Sequence, residues 1–284
     1  MSQATHISGN GRDGGDRAFL GIWQEEVDGA LRELGDRRVV AHLWAMDPGL
    51  WKEEPEHRRE ISQRLGWLTV VGEMATQVEE LESFAREVSD AAIRHVVLCG
   101  MGGSSLGSEV MGQTFGNAPG YPRLWVLDST DPATISGVAR RALFRFFWDQ
   151  ARAELNGQTG SHFVAITDPG TTLEQLGKER GFRRVFLNPP DIGGRYSVLS
   201  LFGLVPAALL GLDLRRFLER ARQMAGACGP ESTPGANPGL WLGVALGTMA
   251  RAGRDKLTLI SSPRVAGLGL WGEQLIAEST GKEG

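Results

Sequence analysis

The chain has 284 residues, 41% hydrophobic and 23% charged, enough for one large or two modest globular domains with real cores. A formal net charge of −4 and an isoelectric point near 5.8 leave no basic surface for nucleic acid or an anionic membrane as main partner. Any phosphate site therefore has to be local, and the two cysteines, Cys99 and Cys228, lack metal-ligand spacing and read as reduced.

Residues 1–16, with Gly9, Gly11, Gly14 and Gly15 among polar residues, read as a flexible leader. The N-terminus lacks the apolar core of a secretory signal, which predicts a cytoplasmic protein. Over 17–93 the apolar spacing is helical, as in Phe19, Trp23, Val27, Ala30 and Leu34, and again in Met74, Val78, Leu81, Phe84 and Val88. The period then changes. Short β-rich runs at His95–Leu98, Leu124–Leu127, Phe163–Ile166 and Arg184–Leu187 each end in glycine, proline or small polar residues, with helix-length segments between the first three. This alternation predicts an α/β domain over 94–212, with a parallel sheet, right-handed crossovers and any site at the carboxyl ends of the strands.

The uncharged run Tyr196–Leu212 is short for a membrane span and contains Gly203, Pro206 and Gly211, which predicts a buried helix. Connecting helices are expected over 213–255, at Leu214–Ala227 and Leu240–Ala252, around a Gly/Pro/Ser/Thr loop from Gly229 to Gly239. Leu257–Ser262 predicts a further strand, opening a second unit over 256–284.

Three segments carry chemistry. Gly100-Met101-Gly102-Gly103-Ser104-Ser105-Leu106-Gly107 sits where a strand meets a helix, so backbone N–H groups and serine hydroxyls can converge on an anion at the positive helix end. A dinucleotide fingerprint would need glycine at Ser105, although Asp128, at the end of the next strand, would suit a ribose hydroxyl. A glycine turn that merely packs helix on strand is the plain alternative. Gly193-Gly194-Arg195 offers a backbone that can approach a ligand closely and a charge that never deprotonates; a surface arginine after a turn would look the same. In Trp271–Lys282, Gln274 and Glu278 stand four residues apart, which stacks an amide and a carboxylate on one helix face. Beside apolar Leu275, Ile276 and Ala277, a partly buried carboxylate would suit a proton shuttle, whereas a solvated glutamate is the plain alternative.

Taken in this order, the three segments resemble phosphoglucose isomerase, which interconverts glucose 6-phosphate and fructose 6-phosphate, and most closely its bacterial type that can follow a transaldolase. The resemblance runs from about Val39 to the last residue. It implies a flavodoxin-like sugar-isomerase domain, normally present twice, the first over 94–212 and the second opening at 256. It implies that Gly103, Ser104 and Gly194 contact the sugar phosphate, that Gln274 positions it, that Glu278 is the base moving a proton between C2 and C1, and that Arg195 stabilises the enediolate. No metal or cofactor is implied, and a cytoplasmic homodimer is.

Two departures from the family pattern stand out. Relatives carry a strand ending in a Ser-x-Ser-Gly-Thr-Thr phosphate loop ahead of the aromatic helix; here Ser136–Leu143 runs almost directly into Phe144–Trp148, so that strand and loop are expected to be missing around 139–144. Thr167–Thr172 looks like a substitute cradle, but its flanks match the family's next strand. The family's ring-opening histidine and a late lysine belong to sequence beyond Gly284, and His6, His42, His57, His95 and His162 lie in no matching motif. The expectation is an incomplete isomerase, its N-terminal half. Two other readings stay open: a sugar-phosphate-binding or regulatory fragment without catalysis, and a nucleotide-dependent oxidoreductase.

Overall fold

The computed structural model describes residues 20–100, 102–127, 147–155 and 157–281. The leader at 1–16, Asp128, the junction at 139–144 and the last three residues lie outside the described residues. The helical lead-in consists of α1 (Gln24–Asp36), α2 (Val39–Trp44), α3 (Pro55–Ser62), α4 (Val70–Ala75) and α5 (Val78–Asp90). In α5 the residues Val78, Leu81, Phe84, Ala85 and Val88 are buried at the three- and four-residue spacing of a single helix face. Strands and helices then alternate: β1 (His95–Cys99), α6 (Gly103–Phe115), β2 (Arg123–Leu127), a helix α7 over 147–154, β3 (Val164–Thr167), α8 (Thr172–Glu179) and β4 (Arg184–Leu187). After a 3-10 segment at Gly194–Leu199 come α9 (Leu201–Leu209), α10 (Leu214–Ala227), α11 (Pro238–Arg251) and α12 (Leu268–Thr280).

The strands pair in parallel, as the alternation predicts. β1 runs beside β2 from His95↔Arg123 to Cys99↔Leu127, and β3 beside β4 from Val164↔Arg184 to Thr167↔Leu187. Among the described residues the single sheet expected from the sequence is two sheets of two strands, and neither β1 nor β3 has a strand on its other edge. A parallel sheet depends on neighbours and on helices over both faces, so short pairs leave apolar side chains open; Val97, Trp125, Val164 and Leu187 all remain exposed.

The core centres on α9. Leu204, Val205, Ala207 and Ala208 are buried among Met74, Leu81 and Phe84 of the lead-in, Met111 of α6, Phe186 of β4 and Leu214 of α10. Phe84 meets Phe186 edge-on, with ring centroids 5.1 Å apart. The buried helix predicted for the uncharged run is therefore present. Its interior Pro206 lacks an N–H, which deprives the Phe202 carbonyl of its usual donor four residues on. The fully buried Ser108 hydroxyl of α6 supplies the replacement, donating to that carbonyl at 3.3 Å. A smaller cluster of Val27, Leu31 and Val244 joins α1 to α11.

The strand expected at Leu257–Ser262 is not formed. The segment carries no regular structure, and Leu257, Leu259 and Ile260 are exposed, Ile260 at 96%. A strand exists only through its ladder, and no described strand lies beside this run to supply one. Among the described residues no helix is long and apolar enough to cross a membrane.

Candidate functional site

The site is built from the first turn of α6. Gly102 takes φ +79° and ψ −155°, a conformation that glycine adopts without penalty, and its carbonyl accepts from the N–H groups of Ser105 (3.1 Å) and Leu106 (3.2 Å) to start the helix. The first N–H groups of the helix thus open onto the same end, where the helix dipole is positive. Gly103 has a different reason to be glycine. A Cβ there would lie 2.6 Å from the Arg195 nitrogen and 2.8 Å from the Gly194 carbonyl carbon, so the two glycine turns are packed backbone against backbone.

The second turn is held from within. Buried Ser197 donates its hydroxyl proton to the Gly194 carbonyl at 2.6 Å, and buried Ser200 donates to the Ser197 carbonyl at 2.8 Å, fixing the 3-10 segment that carries Arg195. The third element, α12, packs against α6 and closes the other side. The Gln274 amide nitrogen stands 3.8 Å from where a Cβ on Gly102 would be. It donates to Glu278 Oε1 at 3.1 Å, while Arg195 Nη1 approaches Glu278 Oε2 at 3.5 Å. Gln274 Oε1 is buried and finds no hydrogen-bond donor among the described residues, so it is an orphaned acceptor beside the polar groups of α12.

All six residues singled out in the sequence, Gly103, Ser104, Gly194, Arg195, Gln274 and Glu278, are thus brought to one place. Three further residues join them. Ser279 Oγ accepts from Arg195 Nε at 3.0 Å and lies 2.9 Å from the Tyr196 hydroxyl, and the Tyr196 ring stacks on Trp67 with centroids 5.3 Å apart. Ser279 and Tyr196 directly follow Glu278 and Arg195 in the chain, which was their only signal; Trp67 has none.

Glu278 stands at the open edge of the site: its side chain is 45% exposed and that of Arg195 25%, and α12 has no fully buried residue. An ion pair this open contributes at most about 1 kcal/mol, so an incoming anion can part it.

Thr167–Thr172 does not offer a cradle. Its Thr171 hydroxyl caps α8, accepting from Glu174 N at 3.3 Å, and is 2.7 Å from Thr167 Oγ1. Gly170 N donates to Glu174 Oε2 at 2.6 Å. Hydrogen bonds from Lys178 and then from Gly170 hold the Glu174 carboxyl below its ordinary range, so an anion already sits on the donors a phosphate would need. The described histidines serve elsewhere: His42 bonds Asp47 at 3.0 Å, His57 lies 3.5 Å from Glu54, His95 accepts from Trp125, and His162 is beside Ser161. Among the described residues no cluster could hold a metal ion. A cleft of about 770 Å³ between α1, α2 and α11 is lined by none of the six residues.

No family model matches the chain. Similarity to individual proteins is extensive. A glucose-6-phosphate isomerase from Nostoc punctiforme is 29% identical over 94% of this chain and 54% of its own length. One from Thermosynechococcus vestitus is 29% identical over the same shares, and one from Desulfitobacterium hafniense 26% identical over 90% of this chain and 51% of that protein. The chain therefore resembles glucose-6-phosphate isomerases along nearly its whole length and spans about half the length of these curated relatives. Among solved structures, a hypothetical protein from Thermus thermophilus superposes with a TM-score of 0.73 at 24% identity, covering 92% of this chain and 64% of that one, which is a likeness of fold.

Proposed function

We propose that the chain carries a sugar-phosphate isomerase site, which exchanges glucose 6-phosphate and fructose 6-phosphate through a cis-enediol. The observation that carries the reading is the meeting of Arg195 and Glu278, distant in sequence, beside the glycine turn at the start of α6. The phosphate takes the N–H groups and hydroxyl of Gly103 and Ser104, with the Gly194 backbone alongside. This lays C1 and C2 of the open-chain sugar between the guanidinium and the carboxylate. Glu278 removes the C2 proton of the aldose; the C–H electron pair becomes the C1=C2 bond, and the negative charge moves to the C1 oxygen. Arg195 stabilises that charge; the C2 hydroxyl proton passes to the C1 oxygen, its O–H electron pair forming the C2=O bond while the C1=C2 pair takes the proton back from Glu278 at C1, which gives the ketose. Gln274 holds one carboxylate oxygen through its NH₂, and its orphaned Oε1 accepts a sugar hydroxyl. The reading carries with it a sugar-isomerase domain over 94–212, the opening of a second over 256–284, a homodimer, and a cytoplasmic place in glycolysis and gluconeogenesis.

A second reading, sugar-phosphate binding without turnover, is favoured by the exposure of Glu278, since water competes for an open carboxylate. Incubation with fructose 6-phosphate in deuterated water separates the two. Isomerase chemistry incorporates deuterium at C1 in the wild type and not in Glu278→Gln, which keeps the shape but cannot accept a proton. Saturable binding with no incorporation supports the second reading, and incorporation at equal rates in both proteins removes Glu278 from the mechanism.

A further inference from the structure

Arg195 is held on two sides by groups that carry no charge. Its Nε donates to Ser279 Oγ at 3.0 Å, and its guanidinium carbon lies 5.2 Å from the centre of the Tyr196 ring. The two supports are themselves joined, Ser279 Oγ to Tyr196 OH at 2.9 Å, and the Tyr196 ring rests on Trp67 at an interplanar angle of 18°. One Nη1 proton faces Glu278, and among the described residues Nη2 has no acceptor.

From this arrangement we propose that Ser279 and Tyr196 are positioning residues, which fix the plane and the free edge of the Arg195 guanidinium for an anionic, enediolate-like ligand. The inference rests on the isomerase-site reading above. An arginine side chain is long and mobile, and only a fixed fork presents two parallel donors to a planar anion. A hydroxyl suits the task better than a carboxylate would. Ser279 accepts the Nε proton and can share its own proton with the Tyr196 oxygen, so the guanidinium is oriented while its full charge stays available to the ligand. The Trp67 stack extends the support from α12 back to the lead-in, since Trp67 lies in the 3-10 turn Gly66–Leu68.

The test uses this chain and two ligands followed by calorimetry. One is an aldonohydroxamate 5-phosphate, whose planar head mimics the enediolate; the other is sorbitol 6-phosphate, which has the phosphate and hydroxyls but no such head. Ser279→Ala and Tyr196→Phe are expected to weaken hydroxamate binding about tenfold while changing sorbitol 6-phosphate binding less than about twofold, the size of a lost bond to a charged group. Ser279→Thr, which keeps the hydroxyl, should restore hydroxamate binding. Ser279 is exposed near the end of α12, so its replacement removes no packed atoms, and Tyr196→Phe keeps the stacked ring if the alanine variant proves unstable. Equal weakening of both ligands, or no weakening of the hydroxamate, overturns the positioning role alone. A wild-type chain that binds neither ligand overturns the site reading and this inference together.

Discussion

Gly103 and Arg195 touch through their backbones: a Cβ on Gly103 would sit 2.6 Å from the Arg195 nitrogen and 2.7 Å from its Cα. Neither atom belongs to a side chain that could rotate away, so any larger residue must push the two turns apart. Gly103→Ala should destabilise the chain by about 1–3 kcal/mol, the usual range for overpacking. It should also abolish sugar-phosphate binding by moving Arg195. Gly112→Ala in the same helix is the control, because nothing lies within 4 Å of that position. It should be neutral or stabilising by up to about 1 kcal/mol. Denaturant melts of the two variants settle the comparison.

Ser108 supports α9 in place of the N–H that Pro206 lacks. Ser108→Ala should cost about 1–3 kcal/mol, because the part-buried Phe202 carbonyl then loses that donor. Pro206→Ala restores a backbone N–H, and in that background Ser108→Ala should cost less. Equilibrium unfolding of the four proteins forms a double-mutant cycle; additive effects would mean the hydroxyl does not serve the carbonyl.

Much of the fold was legible because it rests on local pattern. The runs at 95–98, 124–127, 163–166 and 184–187 became strands within a residue or two, and the α5 stripe of Val78, Leu81, Phe84 and Val88 buries as its spacing requires. What failed depends on partners. Among the described residues Leu257–Ser262 has strand composition but no ladder, and the expected single sheet is two pairs, since edge pairing is a property of neighbours and not of one segment. The convergence of Gly103, Arg195 and Glu278 came from the order of family motifs, because no spacing rule links residues that far apart. Trp67, Tyr196 and Ser279 escaped because ring stacking and a neutral hydroxyl leave no trace in linear pattern.

The exposed run at 257–262 is open to a direct check. Ile260, 96% exposed, buries nothing in this chain, so Ile260→Lys should change stability by no more than about 0.5 kcal/mol and reduce binding of a dye that reports apolar surface. A marked loss of stability would show that the segment is packed or paired after all.

Asp47 should be one source of acid sensitivity, alongside Glu54, Glu174, Glu219 and Asp255, whose carboxyls are also held below their ordinary values. The Gly49 N–H, then His42 and Arg58, hold the Asp47 carboxyl below the ordinary value of 3.8. The folded value is lower than the unfolded one, so this contribution is complete above the unfolded value and disappears as pH falls through the folded one. Carboxyl NMR should show Asp47 titrating below 3.8, and Asp47→Asn should flatten the stability profile in that acid range.

The central claim is that the turn at Gly102–Ser104, the turn at Gly194–Arg195 and the Gln274–Glu278 face of α12 form one sugar-phosphate site. Titration of the isotopically labelled chain with fructose 6-phosphate, followed by amide and side-chain NMR, tests it most directly. The account predicts saturable shifts at the Gly103 and Ser104 amides, at Arg195 Nε and at the Gln274 side-chain amide, all with one dissociation constant. Saturable shifts confined to other parts of the chain, or none at these four positions at millimolar ligand, would contradict it.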